Sequence, residues 1–248
     1  MLISHLFLNL VFGYSRVVLL CVLYFEYFMT EYSLHSEVKD IYSTSGDELE
    51  VKVNEGFVID VLKDGLLIEI QTQNFSAIKR KLSKLIIDNK VRLVYPIAKK
   101  KWILYETNFG EIIKRRKSPK KGKLLDIFYE LVHLSDLFKS KNFSFEVLFI
   151  EEEEFRCNDG KGSWRRKGVS IKDRRLLSVL DRIVFEKKQD FLRFLPFEAN
   201  QVFTNKLLAK KLGVSVNLAQ KITYCLRKMG LISIKEKKRK AYLFKLSN

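Results

Sequence analysis

The chain has 248 residues, 47% apolar and 30% charged, enough for one large or two modest domains around a real core. Its 46 Lys and Arg against 29 Asp and Glu leave a net charge of +17 and favour a polyanionic partner, nucleic acid before membrane, with a lysine-rich proteome as the alternative source of the excess. Cys21, Cys157 and Cys225 stand singly and His5, His35 and His133 are scattered, which excludes a disulfide framework, zinc spacing and a Cys/His dyad, and fits a reducing cytoplasm.

Residues 1–28 are almost wholly apolar and aromatic, but Arg16 splits the run, and Asn9 and Glu26 add polar cost to a span that needs about 20 apolar residues. Basic residues at the start and a small-residue cleavage site are both missing, which argues against a signal peptide. An over-extended start with Met29 as initiator is the preferred expectation, ahead of a membrane anchor or a buried helix. A membrane partner is expected only if residues 1–28 are translated and inserted.

Glu31 to Tyr42 carries Leu34, Val38, Ile41 and Tyr42 at helical spacing, and Ser43-Thr44-Ser45-Gly46 ends it. Glu48 to Val53 alternates as a half-exposed strand, and Asn54-Glu55-Gly56 reads as a hairpin loop that sets Val53 opposite Phe57 and Glu50 opposite Asp60. The run from Phe57 to Thr72 reads as two strands joined by Asp64-Gly65, a two-residue turn in which both central residues need positive φ. That turn fixes the register: Lys63 faces Leu66, Leu62 faces Leu67, Val61 faces Ile68 and Asp60 faces Glu69, with Gln71 further along the same face. Opposed like charges weaken a ladder, so the pair must share a proton, bind a cation or stay in water. Pairing with Lys79, Arg80 or Lys101 is the purely structural alternative.

Phe75 to Asn89 is an amphipathic helix with Asn74 as its expected N-cap and Lys79, Arg80, Lys81 and Lys84 spread around it. Val91 to Ile97 is a near-continuous apolar strand, and Trp102 to Tyr105 adds another. Aspartate, then Glu-x-Gln beginning nine positions on, on adjacent strands and inside the order helix, three strands, helix, strand, resembles the PD-(D/E)XK or restriction-endonuclease-like nuclease superfamily. The resemblance implies an α/β (α+β) fold with an αβββαβ core and a Mg²⁺ (or Mn²⁺) site. Asp60 and Glu69 would bind the metal, with Glu37 or Glu50 as a further ligand. Gln71 stands where most members carry lysine, and some members recruit a lysine from the following helix, here Lys79 or Lys81. The run EIQT-x-NF followed by a basic helix and VRLVYPI also resembles a wider prokaryotic family, from Tyr32 to the C-terminus.

Lys114 to Lys123 has seven basic residues in ten and reads as an exposed linker, with Arg115 and Arg116 as phosphate-contact candidates. Lys123 to Phe138 reads as helix, Phe143 to Phe149 as strand, Glu151 to Glu154 as a solvated edge, and both Lys172 to Phe185 and Lys188 to Leu195 as helices. In the Gly160 to Gly168 loop, Trp164 beside Arg165 and Arg166 can stack on a base or anchor the loop.

Thr204 to Gly213 is a capped helix, Val216 to Met229 a second, and Leu231 to Ile234 with Ala241 to Leu246 a hairpin. This order resembles a winged helix-turn-helix. Asn217, Gln220, Lys221, Tyr224 and Lys228 face outward, and Lys237, Lys238, Arg239 and Lys240 lie in the wing. From Thr204 onward twelve Lys and Arg stand against one acid. The expected units are residues 1–28, a nuclease-like core at 29–110, a stretch at 111–195 completing or flanking it, and the winged helix at 196–248. Function is expected to be Mg-dependent hydrolysis of double-stranded DNA in the cytoplasm. The alternative is a non-enzymatic DNA-binding regulator whose degenerate core serves dimerisation, as a homodimer, or shape recognition.

Overall fold

The computed structural model describes residues 33–247 apart from 45, 54, 55, 199, 239 and 240. The apolar segment at residues 1–28 therefore lies outside the described residues, as do Arg239 and Lys240. Among the described residues no helix is long and apolar enough to cross a membrane.

The molecule is mixed α/β. Helix α1 (Ser33–Tyr42) leads into β1 (Glu48–Lys52), β2 (Val58–Lys63) and β3 (Leu66–Ile70), then α2 (Phe75–Leu85) and the long strand β4 (Lys90–Glu106). Strands β1, β2 and β3 form an antiparallel meander, and β4 runs parallel to β3 after the α2 crossover. The turn at Asp64 and Gly65 has φ of 50° and 73°, and the ladder pairs Lys63 with Leu66, Leu62 with Leu67 and Val61 with Ile68. Two short residues in the left-handed region thus set the register expected from the sequence.

Beyond α2 the structure departs from several expectations. Trp102 to Tyr105 is no separate strand but lies in the second half of β4, and β5 (Ile112–Lys117) takes up Lys114 to Lys117 of the expected basic linker by pairing with it. The stretch from Lys123 breaks into 3₁₀ turns around a one-turn helix α3 (Phe128–Leu131), and Lys188–Phe194 is likewise 3₁₀. Strand β6 (Phe143–Asn158) is twice as long as expected and runs parallel to β4. Lys172 to Phe185, expected as a helix, belongs to strand β7 (Val169–Phe185), which pairs antiparallel with β6 from Phe145–Phe185 to Asn158–Val169. Leucines at both period-2 and period-3.6 positions suit either element, and the open edge of β6 decides between them.

The seven strands form one sheet in the order β1-β2-β3-β4-β6-β7, with β5 on the far half of β4. Residues beyond 110 thus complete the same sheet. Leu34, Val38 and Tyr42 of α1 cover one face, against Val61, Ile68, Ile70, Val94, Leu148 and Ile150. The other face begins a larger cluster from Ile59, Phe75 and Leu93 through Phe128, Phe138 and Phe191 into the last segment. There α4 (Asn205–Leu212), α5 (Val216–Lys228), β8 (Ile232–Lys238) and β9 (Ala241–Leu246) follow in the expected order. Leu208, Ile222, Leu226 and Phe244 join the main cluster, so this lobe is docked on the core by apolar burial.

Asn74, the expected N-cap of α2, sits at φ 59° and makes no capping bond; Glu130 accepts from the Phe75 amide instead, at 3.0 Å. A carboxylate from another element thus meets the positive end of the helix.

Candidate functional site

Asp60 and Glu69 come from β2 and β3, just past the last paired residues of the hairpin. Asp60 Oδ2 accepts from the Ile70 amide at 2.7 Å and lies 3.3 Å from His35 Nε2. The same Nε2 is 2.9 Å from the Ile70 carbonyl. Both neighbours are acceptors, so Nε2 carries the proton. Burial alone would raise the Asp60 carboxyl, but the His35 bond and charge and the Ile70 amide outweigh it and hold the carboxyl below its usual range.

Glu69 is 4% exposed and accepts from Lys81 Nζ at 2.5 Å. Burial, then the negative charge of Asp60, push its carboxyl up to about 7 against the partial relief from Lys81. Lys81 offsets only part of what burial and the Asp60 charge do to Glu69. Lys81 lies on α2, one helical turn before Leu85 and in the row that packs on the sheet, which directs its ammonium back over β3.

The other expected members of this cluster stand elsewhere. Glu37 Oε2 accepts from the Leu176 amide at 2.5 Å, because two residues along a helix turn a side chain to the opposite side from His35, toward β7. Glu50 keeps its expected register, between the Leu49–Val61 and Val51–Ile59 pairs, but adopts φ 52°, which breaks the strand alternation, and pairs with Lys39 Nζ at 3.1 Å. Lys79 pairs with Asp136 at 3.3 Å. Gln71 donates its backbone amide to Val94 and its side-chain amide to the Gln73 carbonyl. Among the described residues no three His, Cys, Asp or Glu side chains gather to hold a metal. His35 was absent from the expected site; its i, i+4 spacing with Lys39 on α1 was the signal available, since both reach acids of the meander.

A second acidic group lies in the middle of the sheet. The expectation that Glu151 to Glu154 form a solvated edge is overturned, because β7 covers that edge and Glu152 and Glu154 are 4% and 2% exposed. Lys101 Nζ bridges Glu152 at 2.7 Å and Glu154 at 2.8 Å, and Arg156 and Arg174 add contacts to Glu154 at 2.5 and 3.4 Å. Burial would raise the Glu154 carboxyl, but Lys101 and Arg156 hold it down at about 2. This network lines a cleft of about 900 Å³. Leu34, next to His35 in the chain, and Thr72, next to Gln71, line it too, while Asp60 and Glu69 are not part of its wall.

In the last lobe the Thr204 and Ser215 hydroxyls cap α4 and α5, accepting from the Leu207 and Leu218 amides. Asn217, Gln220, Tyr224 and Lys228 are exposed along one side of α5. Lys221 is not among them: it is half-buried, 5.7 Å from the Tyr129 ring, where α5 meets α3. Lys237 and Lys238 are exposed at the end of β8. Arg115 lies 3.9 Å from the Trp102 ring and 2.9 Å from Glu153, and Arg116 5.9 Å from the Tyr105 ring. Trp164 is 83% exposed with Arg165 at 5.6 Å, and Arg166 donates to the Val169 carbonyl at 3.1 Å.

A family model described as a domain of unknown function (DUF8091) matches residues 32–186. The chain belongs to this family. The DUF8091 span runs from the start of α1 to the end of β7, so it holds Asp60, Glu69, Lys81 and the Glu152–Glu154 network, while α4, α5 and the β8–β9 hairpin lie beyond it. A Treponema pallidum (strain Nichols) protein, named only as uncharacterized, is 30% identical over 216 residues, which are 87% of this DUF8091 chain and 85% of that protein. No solved structure matches.

Proposed function

We propose that this protein acts on double-stranded DNA as a metal-dependent endonuclease of the restriction-endonuclease-like type, with α4, α5 and the β8–β9 hairpin serving as a winged helix-turn-helix that grips the duplex. The observation that carries the reading is the contact of Lys81 with Glu69, whose neighbour across the hairpin is Asp60. Two carboxylates and one lysine thereby meet from β2, β3 and the helix after them, the arrangement expected when a helix lysine stands in for Gln71.

The donor chemistry fits the implied cation. Mg²⁺ takes hard oxygen ligands and is commonly held by one or two carboxylates plus waters and substrate phosphates, so a third acid is not required. Asp60 and Glu69 would hold it, and the carboxyl of Glu69 is raised by burial and by the Asp60 charge, which a bound cation would offset. Such an ion, when bound, supplies an activated water and stabilises charge on the scissile phosphate. Lys81 offers a positive charge to a phosphate oxygen, and His35 fixes Asp60 in place through the bond from Nε2. On α5, Asn217, Gln220, Tyr224 and Lys228 form one helical stripe suited to a major groove, while Lys237 and Lys238 reach the backbone. Genomic DNA as substrate implies a cytoplasmic site of action.

The test is nicking of supercoiled plasmid, with a melting scan, in Mg²⁺ or Mn²⁺. Either metal is expected to raise Tm and permit nicking, and Asp60→Asn or Glu69→Gln to abolish both while DNA binding persists. A second reading, the non-enzymatic DNA-binding regulator with a homodimeric core, is favoured by the Gln71 amide being spent on Gln73 and by each carboxylate already having a side-chain partner, His35 for Asp60 and Lys81 for Glu69. DNA binding without either metal response decides for that second reading.

A further inference from the structure

The cleft of about 900 Å³ has a shape and a charge that the duplex-binding lobe does not explain. Four acids line it, Glu152 and Glu154 met by Lys101, Arg156 and Arg174, and Asp126 and Glu130 accepting from the Lys123 and Phe75 amides, against six cations, Lys101, Arg116, Lys120, Arg156, Arg166 and Arg174, so the lining is net positive. Arg116, Lys120 and Arg166 also line it, and none of the three forms an ion pair with a carboxylate among the described residues. Tyr129 adds an aromatic ring that is 44% exposed. The wall that carries Lys120 is held firmly: the Gly122 amide donates to the Ala98 carbonyl at 2.9 Å, and a Cβ at Gly122 would meet that carbonyl oxygen at 2.9 Å.

Volume selects the ligand. The space is roughly 12 Å across if compact, no more than the ~12 Å width of a major groove alone, and a duplex is wider than its own groove, so a double helix does not enter. A short run of unpaired nucleotides does, with cations on its phosphates and a ring for a base to stack on.

We infer that this cleft takes an unpaired stretch of DNA and leads it to Asp60 and Glu69, so that the substrate is a duplex with a single-stranded end or flap. Its destination rests on the nuclease reading, but strand binding does not. The test uses the full chain in EDTA, with anisotropy of a labelled oligodeoxythymidine of about twelve nucleotides, within the usual footprint of a stacking groove. A blunt duplex and the same duplex carrying that overhang are measured beside it. The variants are Lys120→Glu and Tyr129→Ala, both at exposed positions, with unchanged melting as the check on folding. Each is expected to weaken binding of the oligonucleotide and the overhang duplex about five-fold or more, leaving the blunt duplex within two-fold. Equal losses on all three, no loss on any, or full competition by a mononucleotide at equal concentration would overturn the inference. Failure of the nuclease reading looks different: the binding split persists and no metal-dependent cleavage follows. Failure of the cleft alone leaves blunt and overhang duplexes cut at the same rate.

Discussion

Glu69 and Glu154 are buried glutamates of one sheet, 4% and 2% exposed, yet their carboxyls are driven in opposite directions, to about 7 and about 2. Depth is therefore not what separates them. Glu154 is met by Lys101, Arg156 and Arg174, whereas Glu69 has one direct ion-pair partner among the described residues, Lys81, with the Asp60 carboxylate beside it. A buried acid with surplus cations behaves as a structural anchor, and one with a deficit is poised to take a proton or a cation.

Breaking the saturated side should have the largest effect. Glu154→Gln leaves three cations without their shared carboxylate and should cost about 3–5 kcal/mol, read as a fall in the urea midpoint. The deficient side should respond with the opposite sign. Glu69 keeps a proton in the folded chain that the unfolded chain releases near 4.5, so folding takes up a proton between about 4.5 and 7 and stability falls as pH rises through that window. At about pH 8 the charged form costs the fold about 3 kcal/mol. Glu69→Gln lacks this term, so its Tm should gain on wild type by several degrees between about pH 5 and pH 8. An unchanged difference across that range would remove the deficit argument.

Lys81→Met sharpens the contrast by deepening the deficit. The Glu69 carboxyl should titrate above 7, followed by carbon-13 NMR of the side chain, and stability at neutral pH should drop by about 2 kcal/mol. The smallest effect belongs to Tyr42→Phe. Its hydroxyl donates to Glu146 Oε1 at 2.6 Å, but Arg92 and Arg182 remain at 3.7 and 3.8 Å, so the loss should be about 1 kcal/mol in a chemical melt.

Much of the first half of the fold was legible. Asp64-Gly65 set the hairpin register because only short residues tolerate consecutive positive φ, and that register brought Asp60 beside Glu69. The α2 stripe was readable from its period, and with it the placing of Lys81 over β3. Glu50 escaped because its own φ is positive, a local exception that alternation does not reveal. Glu151 to Glu154 and strand β7 escaped together, since four acids read as solvated until a partner strand covers them and brings Arg174 to their side.

The sequence by itself determined the local elements: the hairpin turn, the amphipathic helices α1 and α2, the capped α4–α5 pair and the basic charge of the last lobe. Each depends on neighbours within a turn or two, where dihedral preference and periodicity suffice. Only the tertiary structure decided which carboxylate is satisfied and which is not, because apart from Arg156, two residues from Glu154, that balance is set by cations arriving from 12 to 53 residues away in the chain. Coulomb interaction in a partly dry interior depends on distance in space, and no spacing along the sequence records it.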